Sequence, residues 1–538
     1  MRSRLIVIIA VLVFTGLNVQ GSNAESALIG SWTPTAQMTS MRSSHTATLL
    51  PNGKVLVTGG VGANPESFFS TEIYDPVSNQ WSQGAIMNEP RVQHAATLLN
   101  TGQVLIIGRL AERFDPATNK TTPTGPMVSR RTSVPATTLL PDGRVLVTGG
   151  SDRTGAGGGP LAAAELYDPR NNTWAAAAPM SSARFDNTAT LLPNGQVFVI
   201  GSEGTAERYD PASNRWLPAA PMSRPRASHT ATLLPDGRVL VSGGLISQAL
   251  ATATAEIYDP ATDRWVPAAS MTNARRYHQS VLLNSGHVLV MGGYDPNSKG
   301  NAAVGNSRGN LFTAETYDPR TDRWEAALNM GDARSGHTAT LISTGHVLVA
   351  GGADGSTAEV YSPDGRPPAC YAPTGKCTES RFHAYWEAHG GLSINGYPIS
   401  DPFMETLENG RPYLVQYFER VRMEYHPEVA DPQYQIQLGQ FGRKLHPADP
   451  PVSESPGITY FKETGHNVPP DLIAYWQAHG GLAQFGFPLS EVFRETLEDG
   501  KQYEVQYFER ARFERHPENA PPNDIQLGQF GRRVLAGR

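Results

Sequence analysis

Cysteine is nearly absent from this chain of 538 residues, which has only Cys370 and Cys377. The two are separated by the short segment "YAPTGK", and no further metal-ligating residues stand within it. In an exported protein, such a close pair favours a local disulfide over a metal site. The sequence therefore predicts a disulfide between Cys370 and Cys377.

Long apolar runs are also missing after the first residues of the chain. Met1 to Arg4 is basic, Leu5 to Phe14 is almost wholly apolar, and small residues stand at Ser22-Asn23-Ala24. This order predicts a secretory signal over residues 1–24 and a secreted, extracellular or cell-surface protein. A membrane anchor is disfavoured because the run is shorter than the ~20 residues of a span, so we expect no membrane span after signal removal.

The sequence also lacks blocks of basic residues. The formal net charge is -6, which disfavours a nucleic-acid partner. Glycine (53 residues) and proline (42 residues) are instead abundant, without a collagen period. That composition is typical of many short strands joined by turns.

A repeated unit occupies two thirds of the chain. It begins with the pattern Met-x3-Arg-x2-His, continues as two apolar strands that end in Gly-Gly, and closes with Tyr-Asp-Pro followed by Trp. The second and fourth units depart from it, with Gly108-Arg109 and Gly201-Ser202 in place of Gly-Gly. The seven units start at Met38, Met87, Met127, Met180, Met222, Met271 and Met330.

The seventh unit lacks its last strand, because it stops at "EVYSPDG" without a Trp. The missing strand is found before the first unit, where "GSWTPTAQM" places Trp32 in the register of a last strand. We therefore expect the N-terminal strand to complete the seventh unit and close a ring, which removes the open sheet edges.

The double glycine, the Tyr-Asp-Pro and the spaced Trp resemble the kelch-repeat family, including the central domain of galactose-oxidase-like proteins. The resemblance spans about residues 31–363 and implies a mainly β fold, a seven-bladed β-propeller closed by an N-terminal strand. We expect the propeller within residues 25–363. A linker with the cysteine pair then follows at 364–378, a first small α+β module at 379–446, a Pro-rich linker at 447–466 and a second module at 467–538.

The two modules are a second, unrelated repeat. "AYWEAHGGL" in the first copy matches "AYWQAHGGL" in the second, and both contain "QYFER". These elements are similar to LGFP-type repeats of bacterial cell-surface proteins, which implies attachment to the cell envelope. Glu419 and Glu424 could suggest a metal or acid/base site, but opposite parity on one strand favours exposed ion pairs with the flanking arginines.

The loops after Gly-Gly vary most between the units, and they share one face of the propeller with the Arg-x2-His segments. Variable loops on a rigid scaffold are where ligand binding usually occurs. The recurrent arginines and histidines allow two interpretations: inner-strand residues bonded to the backbone, which we favour, or a ring that binds a metal or an anion. Val134 and Asn187 replace the histidine in units three and four. The candidate ligand-face residues are Arg42, His45, Arg91, His94, Arg109, Arg226, His229, Tyr277, His278, Arg334 and His337.

Tyr277-His278 stands where galactose-oxidase-like enzymes have adjacent Tyr and His copper ligands. The resemblance implies that such enzymes also need a cysteine cross-linked to a second tyrosine. The propeller segment of this chain contains no cysteine. We therefore predict no catalytic residues, no metal ligands and no cofactor.

The preferred hypothesis is an exported binding scaffold. The propeller would present its loop face to a protein or glycan ligand, and the C-terminal modules would hold the chain near cell-wall material. One alternative is a carbohydrate-active enzyme that uses the same face with unidentified catalytic residues. Another is an assembly element with protein partners alone.

Overall fold

The computed structural model describes residues 30–132, 135–152, 159–246, 250–299, 304–306, 308–352, 355–429 and 431–537. The predicted signal segment and Val134 lie outside these ranges. Inside them, every helix is too short or too polar to cross a membrane.

Seven antiparallel sheets of four strands form the propeller, and the blades are numbered here in chain order. In blades 1 to 3 the strands are Thr46–Leu49, Val55–Thr58, Thr71–Asp75 and Gln80–Gln83, then Ala95–Leu98, Val104–Ile107, Ala111–Asp115 and Lys120–Pro123, then Ala136–Leu139, Val145–Thr148, Ala164–Asp168 and Thr173–Ala176. In blades 4 to 6 they are Thr188–Leu191, Val197–Ile200, Ala206–Asp210 and Arg215–Ala219, then Thr230–Leu233, Val239–Ser242, Ala255–Asp259 and Arg264–Ala268, then Gln279–Leu282, Val288–Met291, Ala314–Asp318 and Arg323–Ala327.

Blade 7 is closed by the N-terminal strand, which confirms the prediction from Trp32. Its strands are Thr338–Leu341, Val347–Ala350 and Ala358–Ser362, and Ser31–Pro34 pairs antiparallel with the last of these. Trp32 faces Tyr361 in this pairing, as the Trp faces the Tyr in every other blade except blade 2. The first strand of blade 7 lies against those of blades 6 and 1, so the ring is complete.

The apolar core lies between the blades. The second strand of each blade is buried along its whole length, because neighbouring blades flank it on both faces. Buried apolar side chains form one cluster at each of the seven blade interfaces. The Trp of the last strand is only half-buried, but its indole N–H crosses to the preceding blade, as Trp265 does to the carbonyl of Ala220 at 2.7 Å.

The C-terminal region contains two copies of one structural unit. A hairpin precedes the first helix of each copy; it lies within the first predicted linker and begins in the second, and Cys370 pairs with Cys377 in the register in which Tyr460 pairs with Asn467. Each unit therefore begins earlier than the sequence repeat suggests. The first copy contains strands Ala369–Tyr371, Lys376–Thr378, Phe403–Thr406, Pro412–Tyr417, Arg422–Tyr425 and Ile436–Leu438 with helices Ser380–Ala388, Gly391–Asn395 and Phe441–Leu445. The second contains strands Thr459–Phe461, His466–Val468, Phe493–Thr496, Gln502–Tyr507, Arg512–Arg515 and Ile525–Leu527 with helices Pro470–Ala478, Gly481–Phe485 and Phe530–Ala536.

Short 3-10 helices complete the described elements, at Pro65–Phe68, Pro296–Ser298 and Pro432–Tyr434. The two cysteines are joined in a disulfide that links the strands of the first hairpin.

The two modules pack on each other reciprocally around one shared apolar cluster. Arg443 of the first module forms an ion pair with Glu509 of the second, and Arg532 of the second pairs with Glu419 of the first. The expected exposed pairing of Glu419 with a flanking arginine is wrong, because this glutamate lies in the turn before strand Arg422–Tyr425 and faces the other module. Glu424 does pair with the flanking Arg422, but both side chains are buried.

The first module contacts the propeller on the face of the tight turns. The carboxylate of Asp401 lies under Gly53 in the turn of blade 1, and the side chain of Glu379 lies under Gly345 in the turn of blade 7. The sulfur of Cys370 approaches the carbonyl oxygen of Pro76 at 3.4 Å. The opposite face, which holds the loops after Gly-Gly, is named the loop face.

Candidate functional site

The repeated arginines are buried beneath the loop face and are ion-paired within their own blade. In blade 1, Arg42 meets Glu72 of the third strand at 2.9 Å, and both side chains are almost completely buried. The same pair occurs in the other six blades, as Arg91–Glu112, Arg131–Glu165, Arg184–Glu207, Arg226–Glu256, Arg275–Glu315 and Arg334–Glu359.

The pair also holds the backbone on both sides of it. Arg275 donates to the carbonyls of Gly292 and Thr313 at 2.7 and 3.0 Å, and Glu315 accepts from the N–H of Thr272 at 2.6 Å. A buried arginine whose charge and donors are used in this way is not available to an acidic ligand. Sequence reasoning missed the glutamate, although it stands two residues before the Tyr of six units and before Phe114 of the second, and could have been found there.

The repeated histidines connect neighbouring blades. The imidazole Nε2 of His45 lies 2.9 Å from the Thr338 hydroxyl of blade 7, and that of His278 lies 3.0 Å from the Thr230 hydroxyl of blade 5. Asn187, which replaces the histidine in blade 4, makes the same crossing to Thr148. We had expected these histidines to bond mainly to the backbone. Most of the bonds run instead to hydroxyl groups of the neighbouring blade.

Burial keeps these imidazoles neutral. It lowers the pKa of His45, His94 and His337 to about 3, with the adjacent arginine charge as the second cause. Burial also holds the pKa of His278 well below its usual range. An anion-binding ring would need charged imidazoles, so the minority interpretation of the histidines as an anion site is not supported. Within the described ranges, no group of three or more His, Cys, Asp and Glu side chains could hold a metal ion.

A belt of backbone hydrogen bonds surrounds the mouth of the channel on the loop face. The residue before each histidine has positive φ, including Ser44, Gln93, Ser228 and Tyr277. Its N–H donates to the same residue of the preceding blade, as Gln93 does to the Ser44 carbonyl at 3.0 Å. In blade 5 the Asp186 carboxylate accepts instead, from both the N–H and the hydroxyl of Ser228. These residues face the mouth, and the sequence repeat gave no signal for them because their side chains differ.

The eleven candidate residues therefore fall into a buried group and an exposed group. Nine are buried and shape the scaffold, which corrects their assignment to a ligand-contacting face: Arg42, His45, Arg91, His94, Arg226, His229, His278, Arg334 and His337. Their segments lie on the loop face, but their side chains turn inward because the Glu and Thr partners lie there. Two side chains are substantially exposed, Arg109 and Tyr277.

Tyr277 and His278 do not form a joint metal site. The Tyr277 ring is exposed and contacts the Arg276 guanidinium, while His278 is buried with its Nε2 bonded to Thr230. Both cysteines of the chain are joined in the hairpin outside the propeller. The donor set of this chain therefore does not fit a copper centre with a Cys-Tyr cross-link.

Blade 2 departs from the pattern in three ways that meet at the loop face. Its loop after the second strand is reduced to Gly108–Leu110, its Gly-Gly becomes Gly108-Arg109, and Thr121 takes the register of the Trp. Arg109 pairs with Glu89 at the surface, with just over half of its side chain exposed. These departures give this sector of the loop face the shortest of the seven loops between second and third strands.

Exposed apolar side chains collect around this sector. Ile86, in the segment that leads into blade 2, is 65% exposed, and Leu110, within the blade 2 loop, is 54% exposed. Phe69 and Ile86 line one cavity of 410 Å³ at the edge of blade 1. In the described part of the propeller, six of the eight large apolar residues exposed on the loop face border blades 1 to 3. This set is named the blade 2 sector and comprises Met41, Val61, Phe69, Ile86, Leu110 and Val128 with Arg109 and Glu89.

The closed ring of seven four-stranded blades is a β-propeller with a two-module tail, and its repeats fit the kelch type. The Kelch motif matches residues 42–88, 134–181 and 226–272. The chain is similar in structure to a fungal alcohol oxidase of the AA5 family solved in complex with copper, with a TM-score of 0.53 and 18% identity over 62% of this chain and 76% of that one. No curated protein matches the sequence. Kelch repeats indicate a binding scaffold, and the oxidase supports the fold alone.

Proposed function

We propose that the chain is an extracellular binding scaffold that recognises a protein partner through the blade 2 sector. The observation that carries this proposal is the collection of exposed apolar side chains around Arg109, where the repeat pattern breaks. Monomeric proteins seldom expose contiguous apolar area without a binding role. Arginine beside apolar side chains is also the composition enriched in protein interfaces.

A protein partner is favoured over a glycan because the sector exposes mainly aliphatic side chains. The side chains of Ile86, Leu110 and Val61 offer apolar contact to a ligand and no hydrogen-bonding group. The neutral, hydrogen-bonded histidines and the buried Arg–Glu pairs support a rigid scaffold, on which such a surface would be presented already formed.

The test compares two double variants of the full chain as immobilised baits for extracellular proteins. Ile86→Lys with Leu110→Lys places charge in the blade 2 sector, and Leu217→Lys with Val266→Lys makes the same change on exposed outer strands of blades 4 and 5. We expect partners of the unchanged protein to be retained by the second variant and lost by the first. Equal retention by both variants would contradict the proposal, and binding to a glycan array that depends on Ile86 would replace the protein partner with a glycan.

The extracellular location rests on two observations. The first residues have the order of a secretory signal, and the disulfide of Cys370 with Cys377 is of a kind that persists in oxidising compartments. N-terminal sequencing of the protein recovered from the culture medium tests it, and we expect the chain to begin after Ala24. Recovery of the intact Met1 terminus from the cytosol would contradict it.

Attachment to the cell envelope is proposed for the C-terminal modules on their resemblance to LGFP-type repeats. Their reciprocal packing gives a single compact tail that could be held at a surface while the loop face stays accessible. Retention of the full chain on purified cell-wall material, compared with a chain that ends at residue 366, tests this role. Equal retention of the two chains would exclude it.

A further inference from the structure

A groove lies between the tight-turn face of the propeller and the first C-terminal module. A cavity of 490 Å³ is lined by Asn284 of blade 6 and by Arg381 and Tyr425 of the module. An adjoining cavity of 400 Å³ shares these three residues and Pro427. The two cavities together are named the interdomain groove.

Arg381 stands at the junction of the two cavities with most of its hydrogen-bonding capacity unused. Its Nε donates to Glu379 at 2.8 Å, and its guanidinium carbon lies 3.8 Å from the centre of the Tyr425 ring. Both terminal nitrogens are buried, and neither finds a hydrogen-bond partner among the described residues. Buried donors are nearly always satisfied in folded proteins, so these two nitrogens indicate an acceptor that the chain does not supply.

The second module shows what the same position looks like when it is closed. Asp471 takes the place of Arg381, since each is the second residue of the matching helix. Arg515 takes the place of Tyr425, since each is the last residue of the matching strand. Arg515 there is saturated by Asp471 at 2.7 and 2.8 Å.

The third matching position completes the contrast. Glu504 pairs across the strands with Arg515 and bonds it at 2.8 Å, whereas Leu414 pairs across the strands with Tyr425. The first module therefore lacks both carboxylates that close the site in the second, and it has an arginine with free donors beside a leucine.

We propose that the interdomain groove binds a peptide that carries a carboxylate next to an aliphatic side chain. The carboxylate accepts from the two terminal nitrogens of Arg381, in the bidentate geometry that guanidinium groups favour. The aliphatic side chain lies in the second cavity against Leu414, Pro412 and the exposed Met404. This site is separate from the blade 2 sector and does not depend on the function proposed there.

A peptide is favoured over an acidic sugar by the state of the aromatic rings. Sugars pack on open ring faces, but the Arg381 guanidinium covers one face of Tyr425, and the His426 ring packs on Tyr413 at 4.2 Å. The second cavity is also lined by the aliphatic side chains of Met404, Pro412 and Leu414, beside the charged Arg411 and Glu428, and these aliphatic groups suit an amino-acid side chain.

The experiment measures binding of small probes to the intact chain by saturation-transfer NMR in the millimolar range. The probe N-acetyl-L-leucine has a carboxylate and an aliphatic side chain, N-acetyl-L-leucinamide lacks the carboxylate, and glucuronate is an acidic sugar. We expect saturable binding of the acid only, weakened about tenfold or more by Arg381→Gln, as expected for loss of a charge-assisted pair. Arg366→Gln removes a charge from an exposed arginine outside the groove and should leave binding unchanged.

A second variant protects the test against misfolding. Arg381→Asp, Leu414→Glu and Tyr425→Arg install the closed set of the second module, and Glu379→Gln in the same chain removes the buried carboxylate that Arg381 otherwise neutralises. This variant should keep its unfolding midpoint and lose the probe. Equal binding of acid and amide, no saturable binding of the acid, or unchanged binding by Arg381→Gln would each overturn the proposal. Preferential binding of glucuronate would overturn the assignment to a peptide.

Discussion

Arg275 and Glu315 meet at 2.8 Å inside blade 6, and both side chains are excluded from solvent. The pair joins the start of the first strand to the third strand and also fixes the backbone at Gly292. The same relationship recurs in all seven blades. The most recognisable charged residue of the repeat is thus part of the scaffold.

Breaking one of these pairs should destabilise the propeller strongly. Arg275→Gln leaves the carboxylate of Glu315 buried without its cation, which costs about 3–5 kcal/mol of the free energy of unfolding. Arg320→Gln is the matched control, because Arg320 pairs with Asp318 at the surface with a side chain that is 79% exposed. There we expect a loss below about 1 kcal/mol. Denaturant unfolding measures both, and equal losses would show that the buried pair has no special role.

The neutral histidines predict a loss of stability in mild acid. The folded chain holds His45, His94 and His337 with pKa values of about 3, whereas unfolded histidine has a value of 6.5. The unfolded state therefore binds more protons as the pH falls from about 6.5 towards 3, so stability is present above 6.5 and declines below it.

His337 allows this dependence to be isolated. Neither of its ring nitrogens has a hydrogen-bond partner in the described part of the chain, because Gln279 of blade 6 stands where blades 1, 4, 5 and 7 have the threonine whose hydroxyl bonds the histidine of the next blade. His337→Gln should make the fall of the unfolding midpoint between pH 7 and pH 5 shallower, and the exposed His479→Gln should not. An unchanged slope in the His337 variant would argue against a depressed pKa at this position.

Ring closure can be tested with two equivalent tryptophans. Trp32 donates to the Leu328 carbonyl at 2.7 Å and packs on Tyr361, and Trp216 makes the same contacts with Ala178 and Tyr209 in blade 4. Because both are half-buried, we expect about 2–3 kcal/mol for either change to Ala, below the value for full burial. If Trp32→Ala leaves the melting point unchanged while Trp216→Ala lowers it, the N-terminal strand does not close the ring.

The packing of the two C-terminal modules depends on two glycines. A methyl group on Gly442 would lie 1.6 Å from the Phe508 carbonyl oxygen, and one on Gly531 would lie 1.7 Å from that of Phe418. Gly442→Ala should separate the modules and increase amide exchange over their shared apolar cluster. Gly537→Ala, where the added methyl has ordinary contacts, should have no such effect. Equal exchange in both variants would mean that the modules do not pack in this way.

The repeat pattern predicts the fold well because the repeated residues are those that pack within and between the blades. Gly-Gly, Tyr-Asp-Pro and Trp32 correctly indicate seven blades and their closure, since each motif serves the same local contact in every unit. The buried partners of the arginines were missed, although Glu72 and its counterparts recur regularly. Their recurrence alone does not show what they contact, and only the pairing of the strands places them against the arginines.

The candidate site was predicted less well, for a physical reason. Residues that recur in all or most units are those that the scaffold needs, so Arg226 and His229 serve the scaffold and are buried. Ile86, Leu110 and Arg109 are distinctive only because blade 2 lacks a long loop and a Trp. Whether those departures leave an open surface depends on how the neighbouring loops pack. The groove at Arg381 depends in the same way on contact between two regions that are distant in sequence.

The most direct test of the account asks whether the blade 2 sector contacts a partner. A photo-reactive amino acid is placed at position 86 or, as the control, at position 266 of the full chain, which is then irradiated in its native extracellular medium. We predict a defined protein cross-link from position 86 and none from position 266. Cross-links of equal yield and identity from both positions, or from position 266 alone, would contradict a binding site at the break in the repeat.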